Sequence, residues 1–276
     1  MRKVGPVCMS KNTALYWVSL HKQGYTTTAV DNIANSALDS YNKPAQRASI
    51  SMCGAYGFSV KDAKEVYNRF DIENTLENFK PRFNVRPGQM NPVITAQDHN
   101  EISLMFWGLL PHWAKDEHYK WKTINAKVET VAELPTFREP FRKKRCLIPA
   151  TGFYEPDKKH VSKPPFPWHY FHLKDQKIFA FAGLYDIWKD KNSDKEIYSY
   201  TIITTEPNSV VGKVHDRMPV ILQKEDEKKW LDPDIQEPEH LLPLLKQYPA
   251  KEMEEWEVSG EARNPRNDYP ELIKPQ

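Results

Sequence analysis

From Arg82 onward the chain is a succession of short apolar runs: Pro92–Ala96, Glu101–Trp107, Cys146–Pro149, Trp168–Leu173, Ile178–Trp188, Ile197–Thr204 and Pro219–Leu222. Each is rich in β-branched or aromatic residues, which fit a pleated, half-buried surface, so each predicts a strand. No regular strand–helix rhythm separates them, which argues against a doubly wound parallel sheet. Helical signals are fewer. Ser59 as an N-cap, with Ala63, Val66, Tyr67 and Phe70 at i, i+3, i+4, i+7 spacing, predicts one helix. Lys224–Leu231 and Pro238–Tyr248 predict two more. Pro164, Pro165 and Pro167, with lysines nearby, mark an exposed loop. The pattern predicts an α+β fold: a single compact domain with a curved, barrel-like mixed β-sheet and interspersed short helices.

Residues 1–51 are different in kind. They are rich in Ser, Thr, Asn and Ala, lack a periodic apolar pattern, and carry six Lys/Arg against two Asp. They read as an N-terminal extension, either disordered or weakly helical, before a domain spanning 52–276. A propeptide and a misassigned start, with Met52 as the true initiator, both fit. The lack of acidic residues before Asp31 faintly resembles a transit peptide, but no sustained apolar stretch marks a secretory signal. No apolar run approaches the roughly 20 residues that span a bilayer, so no membrane partner is expected. Cys8, Cys53 and Cys146 form no C-x-x-C pair. A disulfide framework or zinc cluster is therefore not expected, and a reducing compartment fits, the cytoplasm (nucleoid-associated) in a bacterium. The net charge of +2 leaves no global positive field, so a nucleic-acid partner needs a local basic patch.

Cys53 directly follows Met52. As an internal residue it reads as a small buried hydrophobe. As a chain N-terminus it offers a thiol and an α-amine, and an α-amine with a reference pKa of about 7.7–8.0 is partly neutral at physiological pH. Such an amine attacks an aldehyde to give an imine, on which the thiol closes a five-membered ring; an N-terminal nucleophile can also serve amide hydrolysis. Glu155 sits in an aromatic setting, Phe153-Tyr154-Glu155, where burial would raise a carboxyl pKa and suit it to acid–base work. A strand-end glutamate is the plainer alternative. His215, at the mouth of a predicted strand, suits a proton shuttle or a structural role. Asn84 can only orient or hydrogen bond, and a turn asparagine near Pro87-Gly88 explains it equally. Arg138–Arg145 is the densest basic run, and Phe141, Trp107 and Trp113 would supply stacking surfaces if exposed near it.

Together these segments resemble the SRAP family, the abasic-site processing proteins first described as SOS-response-associated peptidases. The motifs occur in the family's order: Met52-Cys53-Gly54, Asn84-Val85-Arg86-Pro87, Trp107–Trp113, Ile124–Thr130, Cys146–Glu155, His215–Pro219, and a late Val258-Ser259…Asn264…Glu271-Leu272-Ile273. The resemblance implies a domain, monomeric and free of metal or organic cofactors, that binds single-stranded DNA containing abasic sites. Cys53, exposed by removal of what precedes it, would capture the sugar aldehyde as a thiazolidine crosslink. Asn84 and Glu155 would position the sugar and transfer protons, and His215 would assist ring opening and imine chemistry. Lys127, Arg142, Lys144 and Arg145 would contact phosphates, and Trp107 and Trp113 would stack on bases. AP-lyase scission and cysteine-type autopeptidase cleavage before Cys53 stay open as further activities, and a non-catalytic DNA-damage sensor is the remaining alternative. The family's Met-Cys-Gly-Arg is here Met-Cys-Gly-Ala55, and its Ile-Asn-Ala-Arg is Ile-Asn-Ala-Lys127, so two planar guanidinium forks are missing.

Overall fold

The computed structural model describes residues 53–276 except 77–78, 97–99 and 192–194; the expected extension over 1–51, and Met52 with it, lies outside the described residues. In chain order the elements are β1 (Tyr56–Phe58), α1 (Ala63–Phe70), β2 (Arg82–Val85), β3 (Met90–Ala96), β4 (Asn100–Trp107), β5 (Asn125–Lys127), α2 (Arg138–Lys143), β6 (Arg145–Ala150), β7 (Gly152–Pro156), β8 (Trp168–Leu173), β9 (Phe179–Lys189), β10 (Glu196–Thr205), β11 (Met218–Pro219), α3 (Lys224–Leu231), α4 (Pro238–Leu241) and β12 (Met253–Val258).

Five strands close on themselves: β10–β4–β3–β6–β9, with β9 returning to β10. All pairs are antiparallel except β10–β4, which makes a mixed barrel as expected from the strand-rich, rhythmless sequence. Beyond the barrel, β10 continues with β5 along one edge and β11 along the other. A second sheet, ordered β12-β8-β7-β1-β2, packs beside it. Aromatic rings fill the junction. Trp107 of β4 lies between Tyr56 of β1 (centroids 5.2 Å apart) and Tyr200 of β10 (6.1 Å, stacked). Phe153 of β7 stacks on Phe171 of β8 at 5.0 Å and meets Phe181 of β9 edge-on. Each ring removes on the order of 150–250 Å² from water, so this seam fastens sheet to barrel.

The long strands lie where the residue types put them, within a residue or two. Three expectations are corrected. Asp62, not Ser59, caps α1, its side chain accepting from the Lys64 N–H, while the Ser59 N–H and hydroxyl both engage Thr151 Oγ1. Pro238–Tyr248 is not one helix but the short α4 followed by a 3-10 turn over Leu242–Leu244, because Pro243 has no N–H to continue the ladder. Of the predicted run Pro219–Leu222 only Pro219 joins a ladder, in β11 with Met218 before it, while Ile221 bridges singly to Phe181. The predicted loop is confirmed as exposed at Pro164 and Pro165.

Gly108 shows why Trp107 must be followed by glycine. Its φ of 131° lies in the region L side chains rarely adopt, and an added Cβ would sit 2.7 Å from the Lys120 carbonyl oxygen. Its N–H donates to the Tyr200 carbonyl at 2.8 Å, so the residue cannot swing away without releasing β10. Gly108→Ala is expected to lower the unfolding free energy by about 1–3 kcal/mol in urea titration. Gly212→Ala, whose new Cβ meets nothing nearer than Pro207 Cγ at 3.7 Å, is expected to be near neutral in the same assay.

Candidate active site

Three of the four expected catalytic residues meet at the end of the barrel where β5 and β11 extend β10. Cys53 precedes β1 and is buried, with its thiol directed at the Arg217 carbonyl oxygen, 3.8 Å away. Its φ is 24°, in the left-handed region, which a side chain with a Cβ occupies only at a conformational cost of about 1–3 kcal/mol. Glu155 lies on β7. Period-two alternation puts it on the face of Phe153, turned toward the junction rather than the solvent. It is 1% exposed, and its Oε1 has no hydrogen-bond partner among the described residues. Oε2 stands 3.6 Å from Nε2 of His215, which is buried too. The Arg217 N–H approaches His215 Nδ1 at 3.2 Å. The Arg217 carbonyl oxygen lies at the same 3.2 Å from Nδ1, so Nδ1 bonds the carbonyl or the N–H according to which ring nitrogen carries the proton.

Burial dominates the electrostatics. It pushes the Glu155 carboxyl up from the ordinary glutamate value, and His215 together with the thiol and backbone N–H of Cys53 pulls it part of the way back. Burial also drives the Cys53 thiol well above its ordinary value, and the Glu155 carboxyl reinforces that shift. The cluster therefore sets a buried carboxyl and imidazole, 3.6 Å apart, beside a buried thiol held in its protonated form.

The fourth expected residue is elsewhere. Asn84 is fully buried, but its amide donates to the carbonyls of Ala262, Asn264 and Asn267 at 3.0–3.2 Å, and its Oδ1 accepts from Arg86 Nε at 2.7 Å. Both ends of the amide are occupied in clamping the C-terminal segment to β2. The asparagine beside Cys53 is Asn125, at the start of β5, whose Nδ2 faces the Cys53 carbonyl oxygen at 3.4 Å. Asn125 lies in the Ile124–Thr130 motif but is not among the expected site residues; the β5–β10 pairing carries it to the site.

The expected DNA-contact residues also divide. Trp107 is 0% exposed and donates its indole N–H to the Ile124 carbonyl at 2.8 Å, so it is a core ring and offers no stacking face. Trp113 is 47% exposed and leans edge-on against Tyr119. Arg145 is buried, and its guanidinium donates to the carbonyls of Trp230, Phe141, Arg142 and Asp232, which corrects its expected role as a phosphate contact. Lys144 pairs with buried Asp186 at 2.6 Å, and Arg142 stands loosely against Glu237 at 3.8 Å. Lys127 is exposed on β5, paired in register with Thr204 of β10. Ala55, where the family carries arginine, is buried in a small apolar cluster with Tyr154 and Tyr170, and Arg86 is enclosed over the Trp168 ring. No group of three or more His, Cys, Asp or Glu that could hold a metal occurs among the described residues, and none of their helices is long and apolar enough to cross a membrane.

A family model described as SOS response associated peptidase (SRAP) matches residues 52–265. The "Abasic site processing protein YoqW" of Bacillus subtilis is 42% identical over 227 residues, covering 81% of this chain and 99% of its own. "Abasic site processing protein HMCES" of Xenopus tropicalis is 28% identical over 225 residues, covering 71% of this chain and 67% of its own. A crystal structure from Bacteroides thetaiotaomicron superposes with a TM-score of 0.73 at 30% identity, covering 81% of this chain and all of the other.

Because the folded state holds the Glu155 proton more tightly than the unfolded state, Glu155 contributes stability fully below the ordinary value of 4.5 and loses it as pH rises through the raised folded value. Glu155→Gln is therefore expected to gain stability relative to wild type as pH increases above 4.5, read as a growing difference in thermal midpoint. A constant difference across pH would refute the burial-driven shift.

Proposed function

The chain belongs to the SRAP family, whose model spans most of it, and we propose that it processes abasic sites in single-stranded DNA by capturing them covalently through Cys53. The observation that carries this reading is the convergence of the buried Glu155 carboxyl, 3.6 Å from His215 Nε2, with buried Cys53, which would present both its thiol and its backbone nitrogen. When Cys53 is the first residue, that nitrogen is an amine. It adds to the aldehyde carbon of the ring-opened sugar, forming a C–N bond. The aldehyde oxygen then leaves as water, taking both hydrogens of the amine by way of Glu155, which gives the imine. The thiol adds to the imine carbon, its proton passing to nitrogen, and a thiazolidine results. Water is the sole by-product, and no oxidant or reductant is consumed. His215 supplies and takes back protons at Glu155, and Asn125 holds the Cys53 carbonyl.

The backbone supports this role for the N-terminus. The strained φ of Cys53 exists only while a residue precedes it, so exposing the amine also relieves the strain. A thiolate-driven peptidase has less support, since burial and Glu155 both oppose thiolate formation. Of the expected DNA surface, exposed Trp113 and Lys127 remain as stacking and phosphate contacts, with Arg142 and Lys144 as outer contacts. The abasic-site processing named for the relatives in Bacillus and Xenopus agrees with this reading.

The test is an intact-mass spectrum of the protein from its native cells, before and after mixing with single-stranded DNA carrying an abasic site. The expected result is a mass beginning at Cys53 that gains one DNA strand less one water. Asn125→Ala is expected to slow this gain on the order of 100-fold, as for loss of a group that orients the reacting residue. A protein beginning at Cys53 that gains nothing would sink the proposal.

A further inference from the structure

Asn125, which faces the Cys53 carbonyl, and His215, which faces Glu155, come to the site from two separate segments: the start of β5 and the turn before β11. Those segments are joined across the site by one ion pair. The Arg217 guanidinium grips Glu129, two residues after β5, through both nitrogens, with NH1 at 2.6 Å from Oε1 and NH2 at 2.9 Å from Oε2. NH2 also donates to the Thr204 carbonyl on β10 at 2.7 Å. The backbone of the same Arg217 meets the chemistry directly: its carbonyl lies 3.8 Å from Cys53 Sγ and its N–H approaches His215 Nδ1. Anchored at Thr204, the planar fork determines where the Arg217 peptide groups lie. Those groups orient the thiol and the imidazole.

We propose that Glu129 is a positioning residue for the reaction at Cys53, acting through Arg217 to set the spacing of thiol, imidazole and Asn125; this rests on the capture reading given above. The Glu129 carboxylate is about half exposed. Pairs of that kind contribute only about 0–1 kcal/mol to stability, so fold maintenance alone is a weak reason for two-point geometry here. Lys127 adds a second positive charge beside Glu129. Removing the carboxylate therefore leaves two uncompensated cations at the rim, which favours DNA binding while loosening the reacting groups. A DNA contact would show the opposite pairing of effects.

The experiment uses the chain initiated at Met52, the first residue of the family match. Every described element lies beyond it, and the whole Bacteroides chain is accounted for by 81% of this one. Affinity for intact single-stranded DNA and the first-order rate of adduct formation at saturating abasic DNA are measured for wild type, Glu129→Gln and Glu129→Asp. For Glu129→Gln the rate constant is expected to fall on the order of 10- to 100-fold with affinity equal or tighter, and Glu129→Asp to recover part of the rate. Glu227→Gln breaks another two-point pair, Arg69–Glu227 between α1 and α3, and is expected to keep the wild-type rate. An unchanged rate in Glu129→Gln, or rate and affinity falling together, overturns the proposal. Should wild type form no adduct, the capture reading has failed. The brace is then judged by iodoacetamide labelling of Cys53 followed by peptide mapping: faster labelling in Glu129→Gln upholds it, and an equal rate overturns it.

Discussion

β10 is paired along both edges, and the site depends on where those pairings change partners. Its first half is held by β9 on one side and β4 on the other, which closes the barrel. From Ile202 to Thr205 the partners become β5 and β11. Those two short strands have too few ladder bonds to hold a position by themselves, and β10 supplies the frame that fixes them. β5 brings Asn125, and β11 follows the turn that carries His215 and Arg217. Closing the barrel therefore also places the groups of the candidate site.

The other contributor is the second sheet, which delivers Glu155 from β7 and Cys53 from the lead into β1. Because the aromatic seam of Tyr56, Trp107, Phe153, Phe181 and Tyr200 locks sheet to barrel, the carboxyl and the thiol arrive in a dry interface. A carboxyl there is expensive for the fold, and an oxygen without a hydrogen-bond partner makes it more so. Proteins accept such costs where an altered proton affinity is put to use. The same burial that destabilises the Glu155 charge holds the Cys53 thiol protonated.

Much of this was legible in the chain, and the failures share one cause. Long strands announced themselves through β-branched and aromatic runs, and Cys53, Glu155 and His215 were candidates that residue type left open and only the family resemblance of their motifs singled out. Asn84 and Asn125 did not differ in kind, since each is an asparagine within a strand-like motif. Only the three carbonyls of the C-terminal segment around one, and the Cys53 carbonyl beside the other, separate them. Trp107 and Trp113 likewise belong to one motif, yet one ring seals the core and the other faces solvent. Arg145 looked like part of a basic surface because charge is visible in a sequence and the four carbonyls that enclose its guanidinium are not.

The sequence by itself determined the class of fold, the location of the long strands and the candidate chemistry of Cys53, because residue volume, branching and functional groups are local properties. Tertiary structure alone decided which polar groups converge. A five-strand closure with short strands appended to β10 brings Cys53, Asn125, Glu155, His215 and Arg217 together from positions up to 164 residues apart. Spacing along the chain carries no record of such proximity, since it arises only when the strands pair and the aromatic seam excludes water.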